Sequence, residues 1–174
     1  MPRYDASNAQ CQVFTFKEGL LSKIAHDLKI DVTDFSLEVD TDAGSVRGDF
    51  SVESLRVRTA MKKGKENPSA LSDGDKQKIS EQIAADVLHA QRHPHVTFVS
   101  SSVTETGRGY RIEGELTLHG VAQGLVVDAR LDGEAYSAEV RLHQPDYSIT
   151  PYTAMMGTLK VQAGVVVKLR VPAR

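Results

Sequence analysis

Apolar and polar residues alternate along the last strand-like run of this 174-residue chain. The apolar positions share one side of an extended backbone, and they are Leu159, Val161, Ala163, Val165, Val167, Leu169 and Val171. The intervening positions include Lys160, Gln162, Lys168 and Arg170. Successive side chains of a strand point to opposite faces, so the run predicts a long strand with one dry and one wet face. Such strands are typical of antiparallel sheets.

The same two-residue period recurs in other parts of the chain. Three such runs follow one another at 110–118, 125–131 and 136–142, with glycine-containing turns between them, and they predict a meander. Shorter strand candidates lie at Cys11–Phe16, Lys29–Thr33, Phe35–Val39, Val46–Val52 and Leu55–Val57, and a further strand begins at His95. Eight or nine strands are enough to close an antiparallel β-barrel around a small interior. We expect an all-β fold in a single domain over residues 1–174, with its core at about residues 9–171.

Three segments depart from the strand pattern. Ser72 to Ala90 spaces apolar side chains at helical intervals, with Ser72 or Asp73 as the cap, which predicts one amphipathic helix packed on the barrel. Ala60 to Asn67 is basic and contains glycine, so it is predicted as an exposed loop. Leu20 to Ala25 is predicted to form a single helical turn between two strands.

Composition disfavours several classes of partner. The formal net charge is −2, which gives no basic field for nucleic acid. No run of 18 apolar residues occurs, so stable membrane insertion is not expected. The single cysteine, Cys11, cannot form an intramolecular disulfide, and the polar N-terminus predicts a cytoplasmic protein if Met1 is the natural start. The sequence leaves a homodimer open.

Candidate catalytic and metal-binding residues are few. His93 and His95 lie two residues apart, but two ligands are too few for a zinc site, so no metal is expected. His26 and His119 are the candidate bases of a small hydrolase or transferase acting on a lipophilic substrate. No nucleophile motif accompanies them, and neighbouring residues such as His26 and Asp27 point apart on a strand, so no catalytic residue is predicted.

The alternation also predicts which side chains face the interior. They are Phe14, Phe16, Ile30, Phe35, Leu37, Phe98, Leu116, Val127, Val140 and Val161. Alternation does not report whether these side chains meet in a packed core or surround a cavity. A ligand-binding protein and an interaction protein with a filled core therefore both fit the pattern.

Two motifs in the middle of the chain resemble those of a known family. Pro94–Ser100 fits the pattern P-x-x-x-F-x-S, and Gly114–Val121 fits G-x-L-T-(I/L)-x-G-(V/T), in the same order and separation as in the YceI-like, lipocalin-like proteins. The resemblance implies an eight-stranded antiparallel barrel that holds a long apolar isoprenoid lipid, a polyprenyl chain or an isoprenoid quinone. It implies non-catalytic binding, storage or transport of this lipid, with no other cofactor.

A segment before the last strand adds further candidates for the ligand site. Asp146–Ile149 is similar to an Asp-(Phe/Tyr)-x-Ile element of the family, and prolines and glycine interrupt the alternation around it. Aromatic rings and flexible thioethers in this segment suit an adaptable wall or mouth of a lipid tube. The residues concerned are Tyr147, Ile149, Tyr152, Met155 and Met156.

Overall fold

A computed structural model of the chain describes residues 2–18, 26–157 and 159–173. The strands are β1 (Arg3–Asp5), β2 (Gln10–Thr15), β3 (Asp27–Val32), β4 (Phe35–Asp40), β5 (Ser45–Ser51), β6 (Leu55–Lys62), β7 (Lys65–Asn67), β8 (His95–Thr106), β9 (Gly109–Leu118), β10 (Val121–Asp132), β11 (Ala135–His143), β12 (Thr153–Ala154), β13 (Leu159–Lys160) and β14 (Gly164–Pro172). All pairings are antiparallel, and the order in the main sheet is β1-β4-β5-β8-β9-β10-β11-β14-β2-β3-β6-β7. This sheet curls into a lipocalin-like half-barrel, while β12 and β13 pair separately.

The main sheet has twelve strands, so the predicted number of eight is wrong. Ten of these strands correspond to segments that alternate in the sequence, and the other two are the short edge strands β1 and β7. The short helical turn Val52–Ser54 joins β5 to β6 opposite the bend between β3 and β4. Backbone hydrogen bonds continue across this corner, from Ser51 N to Asp34 O at 3.0 Å and from Thr33 N to Ser54 O at 3.2 Å. The bent hairpin therefore connects the part of the sheet that contains β8 to the part that contains β2.

Two other predicted elements differ from the structure. The segment Ala60–Asn67 is a hairpin of β6 and β7 and not a loop, with Lys63 and Gly64 at positive φ in its turn. The predicted strand from Leu159 to Val171 is interrupted, because its first residues pair with β12 and the backbone amide of Gln162 donates to Phe16 O at 2.8 Å. The predicted turn at Leu20–Ala25 lies outside the described residues.

An α-helix, α1 (Asp73–Gln82), starts where the sequence predicts. Ser72 caps it through a reciprocal pair of bonds with Asp75, each 3.1 Å long. The helix continues as a π-helical turn over Ile83–Val87. It packs along β6, where Ser80 Oγ accepts a 2.9 Å hydrogen bond from the backbone amide of Val57. In the part of the chain that the structure describes, no helix has the length and apolarity to cross a membrane.

Apolar side chains form two clusters inside the curled sheet. The first contains Tyr4, Ala9, Cys11, Val32, Phe35 and Leu37. The second contains Phe98, Leu116, Tyr147 and Ile149. Gly114 makes the second cluster possible, because a Cβ at this position would lie 2.6 Å from the Phe98 ring.

Candidate functional site: the interior cavity

A large cavity separates the inner faces of the curled sheet. Its volume is about 1040 Å³, at the upper end of the usual range for small-molecule sites of roughly 300–1000 Å³. Side chains from both halves of the sheet line it, and Ile79, Ile83 and Val87 of the helical segment complete the wall. The structure thus decides a question that alternation leaves open, because the inward side chains surround space instead of filling it.

The structure brings many of the predicted site residues together on the cavity wall. These are Leu37, Phe98, Leu116, Val127, Val140, Ile149 and Val161. Ile30 and Tyr152 also line the cavity. Contact of any of these side chains with a ligand stays a prediction.

The orientation predicted for Phe14 of β2, and for Phe16 just after it, is wrong. Cys11, Val13 and Thr15 line the cavity, whereas Phe14 and Phe16 are absent from its wall. The Phe14 ring lies beneath Lys168 Nζ, 4.7 Å from its centroid, on the opposite face of the sheet. Apolar residues lie on both faces of this short strand, so alternation alone does not show which face points inward. The pairing with β14 decides which face points inward, because it places Val13 opposite the inward-facing Val167.

The other predicted residues that miss the wall do so for separate reasons. Phe35 is buried behind it and stacks on Phe50 with ring centroids 5.8 Å apart. Tyr147 is also buried, within the second apolar cluster. Met156 is fully exposed at 104% in a tight turn, where its positive φ of 58° directs it away from the sheet. The side chain of Met155 lies outside the described part of the structure.

Sequence reasoning missed the polar groups on the wall. At one end of the cavity Glu105 of β8 lies directly opposite Tyr110 of β9. The rings of Tyr110 and Tyr136 are 5.7 Å apart at an angle of 58°. The neighbouring Tyr136 hydroxyl, desolvation and the Glu105 carboxylate raise the pKa of Tyr110, so its phenol is protonated at neutral pH. Both tyrosines follow the apolar alternation and were detectable from it, whereas an inward carboxylate at a strand end gives no such signal.

Three histidines cluster beside the second apolar cluster. The His119 ring lies 4.6 Å from the His93 ring and 5.3 Å from the His89 ring, measured between centroids. His119 Nδ1 is 3.1 Å from the carbonyl oxygen of Tyr147, and its Nε2 is buried with no hydrogen-bond partner among the described residues. His95 lies apart from this cluster and pairs with Asp49 at 2.9 Å. Within residues 2–18, 26–157 and 159–173, no group of three or more candidate ligands is arranged to hold a metal ion.

The residues considered for catalysis differ in their position relative to the cavity. His119 is not part of the cavity wall, so its imidazole does not face a bound molecule there. His26 does line the cavity, but the Asp27 carboxylate accepts a 2.8 Å hydrogen bond from the backbone amide of Lys17. Burial raises the pKa of Cys11 to about 12, so this thiol stays protonated and weakly nucleophilic at neutral pH.

The histidine cluster predicts a specific pH dependence of stability. Burial lowers the pKa of His119 against the raising effect of the Tyr147 carbonyl, and His93, His89 and Arg92 lower it further. Below the ordinary histidine pKa of about 6.5 the unfolded chain therefore takes up a proton that the folded chain does not, and folding weakens. We expect the free energy of unfolding, measured by urea titration, to fall as the pH drops below this value.

A variant isolates the contribution of His119. His119 and Gly120 both have positive φ, and Asn-Gly is well suited to such a turn, so His119→Asn is expected to fold and to lose part of the pH dependence. His143→Asn, at an exposed histidine 3.3 Å from Asp146, is the control. If His119→Asn shows the same decline in stability as the parent, the buried imidazole is not its source.

Comparison with known proteins shows similarity along nearly the whole chain. A sequence model of the YceI-like domain matches residues 4–173. A UPF0312 protein of Pectobacterium carotovorum subsp. carotovorum is 34% identical over a segment covering 38% of this chain and 40% of that protein. The protein YceI of Escherichia coli O157:H7 is 32% identical, again over 38% of this chain and 40% of its own length. The similarity thus spans well under half the length of these curated relatives.

Solved structures share the fold at low sequence identity. BcnA of Burkholderia cenocepacia aligns with a TM-score of 0.67 and 19% identity, covering 98% of this chain and 99% of that one. A polyisoprenoid binding domain from Saccharophagus degradans, described as implicated in plant cell wall breakdown, aligns with a TM-score of 0.63 and 11% identity. That alignment covers 97% of this chain and 94% of that domain.

Proposed function

The chain belongs to the YceI-like family, and from this premise we propose that it binds a long isoprenoid lipid in its cavity and does not alter it chemically. The ligand is a polyprenyl chain or an isoprenoid quinone, and the protein stores or carries it. The observation that carries this proposal is the large cavity with an apolar wall. The Saccharophagus degradans domain, which has the same fold and is described as polyisoprenoid-binding, supports the same ligand class.

The wall suits a chain of repeated methyl-branched units. Aliphatic side chains such as Val127, Val140 and Val167 line the cavity from neighbouring strands. Each methylene group that leaves water for such a surface gains about 0.8 kcal/mol, so a long apolar chain gains affinity without directional bonds. An apolar tail held in this way explains binding, while the position of His119 away from the wall and the protonated Cys11 argue against a hydrolase or transferase.

Extraction of the purified protein tests the proposal. A ligand held by a large apolar surface dissociates slowly, so we expect an organic extract to contain close to one isoprenoid lipid per chain by mass spectrometry. Column fractions from the same host without the protein provide the background. An extract free of isoprenoids, together with no uptake of added geranylgeraniol by the extracted and refolded protein, contradicts the proposal.

A further inference from the structure

The cavity wall carries few charged residues, and most of them are acidic. Asp40, Asp75 and Glu105 contribute carboxylates. Lys78 is the only lysine or arginine that lines the cavity in the part of the chain that the structure describes. It lies on α1 one turn from Asp75, whose negative charge balances it. The wall therefore offers no cluster of lysine or arginine side chains, which is the usual means of binding a phosphate.

The two acidic residues outside α1 are used differently. Asp40 Oδ1 accepts hydrogen bonds from the backbone amides of Asp42 at 3.1 Å and Ala43 at 2.9 Å, so this carboxylate stabilises its own turn. Glu105 has no ion-pair partner or side-chain hydrogen bond among the described residues, and it is exposed where the cavity meets solvent. Beside it lie the paired phenol rings of Tyr110 and Tyr136. This end thus combines hydroxyl groups with an uncompensated negative charge.

We propose that this end of the cavity selects isoprenoid lipids with an uncharged, hydroxyl-bearing head group over phosphorylated lipids with the same chain. Glu105 is the residue that sets this preference, together with the hydroxyls of Tyr110 and Tyr136. A carboxylate accepts a hydrogen bond from an alcohol or phenol, and a phenol hydroxyl both donates and accepts. A phosphate placed there meets a like charge, and in the described part of the wall no lysine or arginine accompanies Glu105 at this end. This inference rests on the proposed function, since it concerns the head group of the proposed ligand.

Competition between two lipids with the same tail tests the preference. Geranylgeraniol and geranylgeranyl diphosphate are offered together to the extracted and refolded protein, and the bound fraction of each is measured by native mass spectrometry. We expect the alcohol to be preferred by roughly tenfold or more, a ratio in line with like-charge repulsion at a partly solvated site. Glu105→Gln is expected to reduce this ratio several-fold, and Glu105→Lys is expected to favour the diphosphate.

The control removes the same charge from the outer face of the sheet. Glu115 is exposed on β9 and is not part of the wall, so Glu115→Gln is expected to keep the parent ratio. Equal binding of the two lipids by the parent, or an unchanged ratio in Glu105→Gln, overturns the head-group inference and leaves isoprenoid binding intact. Binding of neither lipid by the parent removes the proposed function itself, and this inference with it.

Discussion

Replacing Leu116 with aspartate is expected to lower the free energy of unfolding by roughly 4 kcal/mol or more, because it removes a packed apolar side chain and buries a carboxylate. Leu116 is only 7% exposed and lines the cavity from β9, in contact with the second apolar cluster. A loss of this size is a large share of the stability of an ordinary domain. Urea unfolding followed by circular dichroism measures the effect.

The matched control places the same charge on the other face of the adjacent strand. Val99 is 46% exposed on β8 and lies between Arg47 of β5 and Glu115 of β9, so opposite charges flank it and Val99→Asp is expected to change stability by less than about 1 kcal/mol. Leu116 lies opposite Phe98, the residue before Val99, so the two substitutions differ mainly in the face they alter. A stable Leu116→Asp protein with undiminished lipid binding would mean that Leu116 lies on the outer face of β9.

Filling the cavity is expected to abolish lipid retention while leaving the fold intact. Ala129 of β10 and Ala138 of β11 lie opposite each other and both line the cavity, so phenylalanine side chains at these positions are expected to reduce its volume. We expect the double variant Ala129→Phe/Ala138→Phe to retain less than about a tenth of the parent's lipid. The two rings take space that the lipid would occupy, so several of its methylene groups lose the free energy gained on leaving water. Its free energy of unfolding is expected to change by less than about 1.5 kcal/mol, since little repacking is needed.

The double variant separates binding from folding when it is compared with an outer-face substitution. Ala122 is exposed on β10 and absent from the wall, so Ala122→Phe is expected to retain the parent's lipid content. Both proteins are purified in parallel, and their extracts are quantified by mass spectrometry. Full lipid content in the stable double variant would place the ligand elsewhere on the protein, and a large loss of stability would show that the space near Ala138 is not open.

Local sequence signals predicted the strands and the helix well where only one face of the element is buried. Along β9 and β10 each inward residue is two positions from the next, so Leu116 and Val127 could be placed on the inner face of the sheet from the sequence. The start of the helix could be placed at Ser72 or Asp73 because a cap is a local signal, and the structure shows that Ser72 is the cap. Family membership was also accessible, because the motifs around Phe98 and Gly114 are local.

Features that depend on contacts between residues far apart in the sequence could not be predicted in this way. Whether Phe14 points inward depends on the register of β2 against β14, and the strand number depends in part on the pairing of the short β1 with β4. His119 meets His89 and His93 because the turn after β9 packs against the end of the helical segment. Each of these contacts joins residues far apart in the sequence, so the local pattern of apolar residues does not predict it.

The sequence by itself determined that the chain forms antiparallel strands with one apolar face, that one capped helix accompanies them, and that the family is YceI-like. Only the tertiary structure decided that the apolar faces enclose a cavity of about 1040 Å³, that Phe14 lies outside it, and that Glu105 stands at its end. The physical reason is that the alternation of apolar and polar residues fixes which face of a strand is buried, whereas the distance between opposite walls of the cavity is set by the curvature and bends of the whole sheet.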